Sequence, residues 1–453
     1  MTIMPFPTPK PMTLDDLSPE FSDDALALEF AARHARQLRY VAKWGTWLHW
    51  DGTRWKFEDT LKAFDLARAV AREFANACAD AKAKPKIASA SKVAAIENLA
   101  RADRRHAATI DQWDADPWLL NTPGGIVDLR TGDTLPHEPE CYMIKITAVA
   151  PGGDCPLWRQ FLAEITGGNL ELQAFLQCVA GYALTGSIRE HALFFFYGTG
   201  GNGKGVFLNT LTAILGDYSA VAPMEAFVTT QGERHPTDLA GLRWARLVTA
   251  QETERGRRWA ESRIKALTGC DPITARFMRQ DFFTYWPSFK LVIAGNHKPS
   301  LSGVDESIRR RFYLIPFAIT IANPDQELPD KLRAEWPGIL AWMIEGCRSW
   351  LDNGLNPPNA VRSATETYLS EEDSLAQWVE ECCIRGKEQW GVGARLWESW
   401  KAWAETNKEP PGTRKAFAET MANHGFAPTK SQQIRGYSSI NLKPGGLDRD
   451  DFN

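Results

Sequence analysis

The feature that most constrains this chain is an apolar run leading directly into a glycine-rich turn, a lysine and a helix. The turn and lysine follow the spacing G-x-x-x-x-G-K, and the six apolar residues 192–197 predict a buried strand. Strand, turn, lysine and helix in this order are typical of the phosphate-binding loop of nucleotide hydrolases. A glycine-rich surface loop before an ordinary helix would not need a buried strand, so we predict that the chain binds a nucleoside triphosphate.

Each part of this loop has a task toward the phosphates. Backbone N–H groups of the turn can surround the β-phosphate, and the helix N-terminus adds partial positive charge. Lys204 would place a full charge on the β- and γ-phosphates. Gly205 stands where Ser or Thr usually ligates Mg²⁺, and water could replace that hydroxyl. The predicted nucleotide-binding residues are Gly198, Gly200, Gly201, Asn202, Gly203, Lys204, Gly205 and Val206.

A nucleotide hydrolase also needs an acid for Mg²⁺ and water, a polar group that positions the water, and a cation for the transition state. A short apolar strand precedes Glu252, which we predict to be the metal-binding acid, with Glu254 in reserve. Asn296 follows another apolar strand, and its amide can donate and accept. Arginines 309–311 supply a permanent positive charge. Singly these motifs also fit a charged loop, a turn asparagine and a basic helix end, but their common order favours catalysis.

Length and composition predict a cytoplasmic globular protein. A chain of 453 residues is too long for one core, and 44% hydrophobic with 24% charged residues is a globular balance. There is no apolar run of membrane-spanning length and no signal-peptide pattern, so we expect a soluble protein without a membrane partner. The eight cysteines form no C-x-x-C pair, which argues against a zinc site.

The charge distribution says more than the net charge of −4. That net charge excludes a globally basic nucleic-acid binder. Residues 254–311, however, contain twelve Lys or Arg against six Asp or Glu. Such a concentration suits a polyanion partner, although solvated helix faces would look the same.

Composition and periodicity predict an α/β chain in four parts. Aromatic residues alternate around Asp51 and Gly52, which predicts a hairpin at 47–55. Residues 81–92 are rich in Ala, Lys and Ser and are predicted to be a mobile loop. The predicted parts are a flexible arm at 1–20, an α+β domain at 21–150, a nucleotide-binding domain with preceding helices at 151–355 and a tryptophan-rich tail at 360–453.

Together, the motifs resemble a superfamily 3 helicase of the AAA+ class, specifically the helicase module of phage and plasmid primase–helicases. The resemblance extends over most of the chain. It implies an AAA+ P-loop core, and the α+β part is similar to the domain before the helicase in these proteins. The tail is similar to their winged-helix module. The residues that carry the resemblance are Gly-Asn-Gly-Lys at 201–204, Glu-Thr-Glu at 252–254, Ala-Gly-Asn-His-Lys-Pro at 294–299 and Arg-Arg-Arg-Phe at 309–312.

The resemblance implies an ATP- and Mg²⁺-dependent helicase that replicates a phage or other mobile element. Such enzymes translocate 3′→5′ on single-stranded DNA as ring hexamers and act on forked DNA. ATP would lie between subunits, with Asn296 as sensor and a finger arginine acting in trans. By motif position that finger is Arg311, with Arg310 next. No primase-like acidic site precedes the helicase motifs, so a separate primase or polymerase is the expected partner.

The resemblance also implies a DNA-binding hairpin between Glu252 and Asn296. The segment 275–283 interleaves basic and aromatic residues, which suits phosphate contact combined with base stacking. Solvated side chains on an ordinary hairpin would show the same pattern. The candidate DNA-binding residues are Lys265, Arg276 and Arg279.

The tail leaves two interpretations open. A helix that presents Arg414 and Lys415 would suit DNA, whereas a small protein-binding domain fits the same pattern. Two other functions remain open for the whole chain. One is a DNA-bound ATPase switch or origin-binding initiator that cannot unwind. The other is a P-loop small-molecule kinase, against which the triple arginine and the basic–aromatic segment argue.

Overall fold

The computed structural model describes residues 20–229, 237–251, 256–277, 281–301, 303–407, 409–431 and 433–444. Contacts divide the chain into two compact units. The first ends at Asp128 and resumes over Asp133–Ile146, and the second comprises Leu129–Gly132 and the chain from Thr147 onward. The four-part division inferred from composition stays a prediction, and most of its N-terminal arm lies outside the described residues.

The first unit combines helices with two antiparallel three-stranded sheets. The hairpin predicted at 47–55 is present, with Trp50 opposite Trp55. Its loop is closed by the Asp51 carboxylate, which accepts two backbone N–H groups from the following residues. The elements are α1 (Asp23–His34), β1 (Leu38–Val41), β2 (Thr46–Trp50), β3 (Trp55–Phe57), α2 (Lys62–Ala77), α3 (Lys84–Ile87), α4 (Ala90–Ala100), β4 (Leu119–Thr122), β5 (Gly125–Asp128) and β6 (Thr134–Leu135).

The segment 81–92 forms helices instead of the predicted mobile loop. It contains α3, and α4 begins at Ala90 because the Ser89 hydroxyl accepts the N–H of Lys92. Ile87 is buried in the core of the first unit. The prediction was wrong because Ala and Lys, which suggested a soluble loop, are also strong helix formers.

The second unit is centred on a parallel sheet with helices packed against it. The elements of this part are α5 (Pro156–Ile165), α6 (Leu170–Leu184), β7 (Leu193–Tyr197), α7 (Lys204–Leu215), β8 (Ser219–Val221), α8 (Thr237–Ala240), β9 (Leu247–Gln251), α9 (Glu261–Thr268), β10 (Ile273–Ala275), β11 (Phe283–Tyr285), β12 (Lys290–Gly295), α10 (Glu306–Arg309), β13 (Phe312–Pro316), α11 (Leu328–Arg333), α12 (Trp336–Asn353) and α13 (Asn359–Glu371).

The order of the five parallel strands is β13-β7-β12-β9-β8. The first four residues of β7 and all six residues of β12 are buried. Continuous burial of this kind is expected of parallel strands covered on both faces. The strand before the glycine-rich turn therefore lies inside the sheet, and the predicted α/β P-loop core is confirmed.

Two buried cations fasten α6 to the sheet. Nη1 of Arg246 donates to the carbonyl of Leu184 at 2.7 Å, and the ammonium of Lys290 donates to the carbonyl of Thr185. Carbonyls at a helix C-terminus lack partners within the helix, and the helix dipole favours cations there. Burial holds the pKa of Lys290 well below its usual value. The helices before the glycine-rich turn thus belong to the same unit as the sheet.

α13 packs on the sheet although it follows the boundary predicted between 355 and 360. The ring of Tyr368 is buried 5.2 Å from that of Phe312 in β13, and the indole of Trp259 donates to its hydroxyl. The change in packing comes after α13, at Asp373.

The residues after α13 form a winged-helix-like fold around a tryptophan core. Their three strands pair antiparallel in the order β14-β16-β15. The rings of Trp378, Trp400 and Phe417 pack together at its centre. Helices and an antiparallel sheet in this order agree with the winged-helix assignment, which stays a prediction. The elements are α14 (Ser374–Cys382), β14 (Cys383–Val392), α15 (Gly393–Thr406), α16 (Arg414–Asn423), β15 (Pro428–Ser431) and β16 (Ile434–Leu442).

Candidate functional site

The glycine-rich turn connects the end of β7 to the start of α7. Gly200, Gly201 and Gly203 have φ angles of 112°, 62° and 78°, which L side chains rarely adopt. A Cβ on Gly203 would also lie 2.4 Å from Ile165 Cγ2 in α5. This turn therefore requires glycine both for its backbone conformation and for its packing on α5.

The ammonium of Lys204 lies inside the turn with three oxygen acceptors. Its Nζ is 2.7 Å from the carbonyl oxygen of Gly198, 2.9 Å from Oδ1 of Asn202 and 3.2 Å from Oδ1 of Asn296. An ammonium has three protons to donate, so its capacity is filled. Burial lowers the pKa of Lys204, whereas the negative charge of a bound triphosphate would act in the opposite direction.

Asn296 reaches this lysine because β7 and β12 are neighbours in the sheet. Gly295 at the end of β12 pairs with Tyr197 at the end of β7. The carboxyl ends of parallel strands open at one edge of the sheet, where ligands of such sheets bind. The structure thus brings the predicted sensor Asn296 to the predicted phosphate lysine.

The predicted metal-binding acid follows the neighbouring strand, β9. Ala294 of β12 pairs with Gln251, the last residue of β9, and Nε2 of Gln251 donates to Asn209 of α7 at 3.0 Å. The described chain stops there and resumes at 256. Glu252 and Glu254 therefore lie outside the described residues, although their strand ends beside the Asn296 strand.

The segment after β13 covers the glycine-rich turn. Nδ2 of Asn202 donates to the carbonyl of Phe317 at 3.0 Å, and the N–H of Ile321 donates to the carbonyl of Gly201 at 2.8 Å. Asn202 is 3% exposed, so its amide is held between this segment and Lys204. Asn202 is therefore placed to shape the turn through its side chain.

The three consecutive arginines have different environments. Arg309 donates to Glu366 of α13 at 2.9 Å. Arg311 is 8% exposed, and its Nη1 donates to the hydroxyl and carbonyl oxygens of Ser307. Burial, and then the neighbouring Arg310, lower the pKa of Arg311. Arg310 is exposed, and none of the described residues forms a hydrogen bond or ion pair with its guanidinium.

These environments reverse the order of preference for the finger. A finger arginine must leave its own subunit's surface to reach a neighbour's phosphate. Arg311, the first choice by motif position, is buried and already bonded to Ser307, whereas Arg310 is exposed. Burial could not be read from three identical side chains in a row. Exposure therefore suits Arg310 to this role better than Arg311, and the identity of the finger stays a prediction.

The predicted DNA-binding hairpin is formed by β10 and β11, which pair antiparallel from Ile273–Tyr285 to Ala275–Phe283. The guanidinium of Arg276 lies 4.5 Å from the ring centroid of Phe282, which is 58% exposed. Phe277 is also exposed. A cation and two accessible rings are therefore gathered at the end of this hairpin.

The other two hairpin candidates have different outcomes. Lys265 lies on α9, and its ammonium forms an ion pair with Asp305 at 2.5 Å. Asp305 also caps α10 by accepting the N–H of Ile308. This arrangement gives Lys265 a structural task and does not place it on the hairpin. Arg279 lies outside the described residues.

The tail contains a groove of about 760 Å³ between α16 and the β15–β16 hairpin. Arg414, Lys430 and Arg435 line it, and among the described residues no acidic side chain does so, although Arg414 pairs with Glu398 at 3.1 Å. Lys430 and Arg435 face each other across the hairpin, where like charges destabilise a pair. Neither of these two residues was predicted from the sequence, although both are basic side chains that flank a turn. Lys415 is 88% exposed and does not line the groove.

Within the described residues there is no group of three His, Cys, Asp or Glu side chains placed to hold a metal ion. None of the described helices is both long and apolar enough to cross a bilayer.

Two family models match separate parts of the chain. One, described as D5 N terminal like, matches residues 27–167. The other, described as a family of unknown function (DUF5906), matches residues 196–311. The second match begins in β7 and ends at Arg311, so it spans the glycine-rich turn, Asn296 and the arginines.

Two viral proteins, both named as candidate helicases, share sequence with the chain. Protein 022R of Frog virus 3 (isolate Goorha) is 24% identical over 279 residues, which is 56% of this chain and 28% of that protein. Protein L207/L206 of Acanthamoeba polyphaga mimivirus is 22% identical over 325 residues, 65% of this chain and 34% of that protein. The chain thus spans about a third of the length of these relatives.

A solved structure shares the fold. The apo A form of the C-terminal region of NrS-1 aligns with a TM-score of 0.50 at 10% identity, covering 91% of this chain and 98% of that one. At this identity the likeness concerns the fold alone. It agrees with the parallel sheet and its flanking elements.

Proposed function

We propose that this chain belongs to the phage-type primase–helicase family and is a superfamily 3 helicase driven by ATP, which its two family matches and its viral relatives support. The observation that carries the proposal is the meeting of Lys204 and Asn296 at the carboxyl edge of the sheet, 3.2 Å apart. A lysine for the phosphates and an amide for the attacking water are two of the parts that phosphoryl transfer requires. The two strands that precede these residues, β7 and β12, lie between β13 and β9 in the sheet. Glu252 follows β9 in the chain, and Arg310 precedes β13.

In the proposed reaction, the backbone N–H groups of the turn bind the phosphates and Lys204 exchanges its present acceptors for phosphate oxygens. Asn296 then holds the attacking water in line with the γ-phosphate. Glu252 accepts the proton of that water and is the protein ligand proposed for Mg²⁺. The ion, when bound, neutralises charge on the β- and γ-oxygens. Its remaining ligands would be water, because Gly205 offers no hydroxyl.

A ring of subunits would complete the site. Arg310 is exposed and its guanidinium is bonded to none of the described residues, so this group is available to a nucleotide held by a neighbouring copy. We propose a homohexamer that translocates 3′→5′ on single-stranded DNA, in replication of a phage or another mobile element. The β10–β11 hairpin would contact the strand, and a separate primase or polymerase would act with it.

The experiment that tests this function is strand separation on forked DNA with ATP. Forks with either a 3′ or a 5′ single-stranded tail are compared for the wild type and Lys204→Ala. Unwinding of the 3′-tailed fork by the wild type only is the expected result. Mass measurement with nucleotide determines ring size. An active monomer that DNA does not stimulate would contradict the proposal, and phosphorylation of a small molecule would favour the kinase.

A second function, an initiator that binds duplex DNA without unwinding, is favoured by the groove of the tail. Among the described residues three cations and no acid line this groove, which suits the backbone of a nucleic acid. An initiator would hydrolyse ATP and bind duplex DNA but leave both forks intact.

Removing the exposed ring at the end of the hairpin is expected to weaken binding of single-stranded DNA. Phe282→Ala removes a stacking surface and the partner of Arg276, and loss of one stacked base costs about 1–3 kcal/mol. Binding of a labelled oligonucleotide, followed by fluorescence anisotropy, measures this change. Phe57→Ala is the matched control because Phe57 is 49% exposed and lies in the first unit. Equal losses in both variants would contradict a role for the hairpin.

A hydroxyl at residue 205 is expected to reduce the Mg²⁺ concentration required for hydrolysis. A Cβ at Gly205 would have no atom within 4 Å, so Gly205→Ser fits without rearrangement. ATP hydrolysis is titrated with Mg²⁺, with Gly205→Ala as the matched control because it adds Cβ but no ligand. The same shift in both variants would exclude metal ligation. If Gly205→Ser alone created hydrolysis that the wild type lacked, the helicase proposal would fail.

A further inference from the structure

The residue before the proposed finger connects the nucleotide-binding fold to the tail. Arg309 ends α10, a helix of only four residues, and Arg310 follows directly. The guanidinium of Arg309 donates to Glu366 of α13, and its Nη2 lies 3.4 Å from Oδ2 of Asp373. Asp373 comes after α13 and caps α14 by accepting the N–H of Ala376.

Asp373 is a buried carboxylate shared between two parts of the fold. Its side chain is 4% exposed. Besides Arg309 and the N–H of Ala376, it is bonded to His424, whose Nε2 lies 2.9 and 3.1 Å from its two oxygens. His424 follows the last residue of α16, the helix that lines the basic groove. One buried carboxylate thus joins α10 to the end of α16.

The bonding of His424 requires a charged ring. Its Nδ1 lies 2.8 Å from the carbonyl oxygen of Thr420, and its Nε2 faces the Asp373 carboxylate. Both partners are acceptors, so both ring nitrogens must donate. The bond to Asp373 raises the pKa of His424, in agreement with this arrangement. Breaking a buried charge pair leaves an uncompensated charge, so a displacement of α16 would disturb Asp373 and Arg309 together.

We propose that Arg309, Asp373 and His424 form a link through which the position of α16 determines the position of Arg310. Arg309 and Asp373 are positioning residues that act through Arg310. A nucleic acid that moves α16 would change hydrolysis in the neighbouring subunit through this link. The inference rests on the proposed function, because it requires Arg310 to act on a neighbour's nucleotide.

Asp373→Asn tests the link because Oδ1 can still cap α14 while the charge is lost. We expect kcat for ATP hydrolysis to fall about ten- to a hundredfold, as for a misplaced catalytic group. KM for ATP should stay unchanged, since the subunit's own phosphate-binding turn is intact. His424→Gln, which keeps a side-chain donor without charge, should show a smaller fall in the same direction. It replaces Asp373→Asn in the assays if that variant does not fold.

The matched control is Glu371→Gln. Glu371 is the last residue of α13 and pairs with Lys298, which follows β12, but it has no bond to α10 among the described residues. A second measurement mixes Asp373→Asn with Lys204→Ala. The first supplies an intact phosphate-binding turn and the second an intact finger, so activity of the mixture should exceed that of either protein alone. General structural damage would not give this gain.

The outcomes separate the link from the proposed function. If the wild type hydrolyses ATP, Arg310→Ala does not, and Asp373→Asn matches Glu371→Gln, the link is wrong and the helicase proposal stands. The link also fails if the mixture shows no gain. If the wild type lacks DNA-stimulated hydrolysis, or Arg310→Ala is fully active, the finger itself fails and the link fails with it.

Discussion

Replacing Lys204 with alanine should lower ATP hydrolysis by at least about a hundredfold, the cost of removing one preorganised charge from a developing phosphate charge. The ammonium lies among Gly198, Asn202 and Asn296 with all its protons bonded, and no other described lysine contacts the turn. Unwinding should disappear as well. Phosphate release measured with and without single-stranded DNA checks the first expectation.

The fold should survive this change. Asn202 keeps its bond to the carbonyl of Phe317, and the glycines that set the backbone of the turn remain. Lys331→Ala is the control, because Lys331 lies in the same unit with an exposed ion pair to Asp325. Circular dichroism should give similar melting temperatures for both variants. Hydrolysis by Lys204→Ala at the wild-type rate would remove the basis of the proposed function.

Arg310→Ala is expected to reduce hydrolysis by about a thousandfold, the lower range for loss of a finger arginine. Its exposed guanidinium is bonded to none of the described residues, so the fold loses little. Arg311→Ala should behave differently. Arg311 is buried and bonded to Ser307, so its removal should mainly lower the melting temperature. Hydrolysis rates and thermal melts of the two variants distinguish these roles.

Mixing determines whether Arg310 acts between subunits. Arg310→Ala has an intact phosphate-binding turn and Lys204→Ala has an intact finger, so a mixed ring would contain some complete sites. Activity above the sum of the separate proteins is expected. If Arg310→Ala retains full activity while Arg311→Ala loses it without a change in melting temperature, Arg311 is the finger, as its motif position predicts, and the inference from burial is wrong.

The meeting of Lys204 and Asn296 was predictable because both residues follow strand ends. Asn296 comes directly after one continuously apolar run and Lys204 follows another after the glycine-rich turn, and parallel strands bring such positions to one edge. No side-chain contact was needed for that inference. The same reasoning placed Glu252 after β9, although its own position lies beyond the described residues.

Residues whose roles depend on distant partners were not predictable. Lys265 carries the positive charge expected of a DNA contact, yet its ammonium pairs with Asp305, forty residues further along the chain. Arg309, Arg310 and Arg311 are chemically identical, and only the packing of α10 gives each a different environment. The role of such a side chain depends on its bonding partner and on its burial, and neither can be read from the neighbouring residues in the sequence.

The contact between Gly203 and α5 bears on how parts of these proteins can be exchanged between relatives. A Cβ on Gly203 would lie 2.4 Å from Ile165 and 3.0 Å from Phe161, so the phosphate-binding turn packs closely on α5, which precedes it in the chain. The D5 N terminal like match includes that helix. In a chimaera joined at the end of this match, near residue 167, the turn would pack on a helix from another protein. A junction near residue 147 would keep α5 and the turn from the same protein.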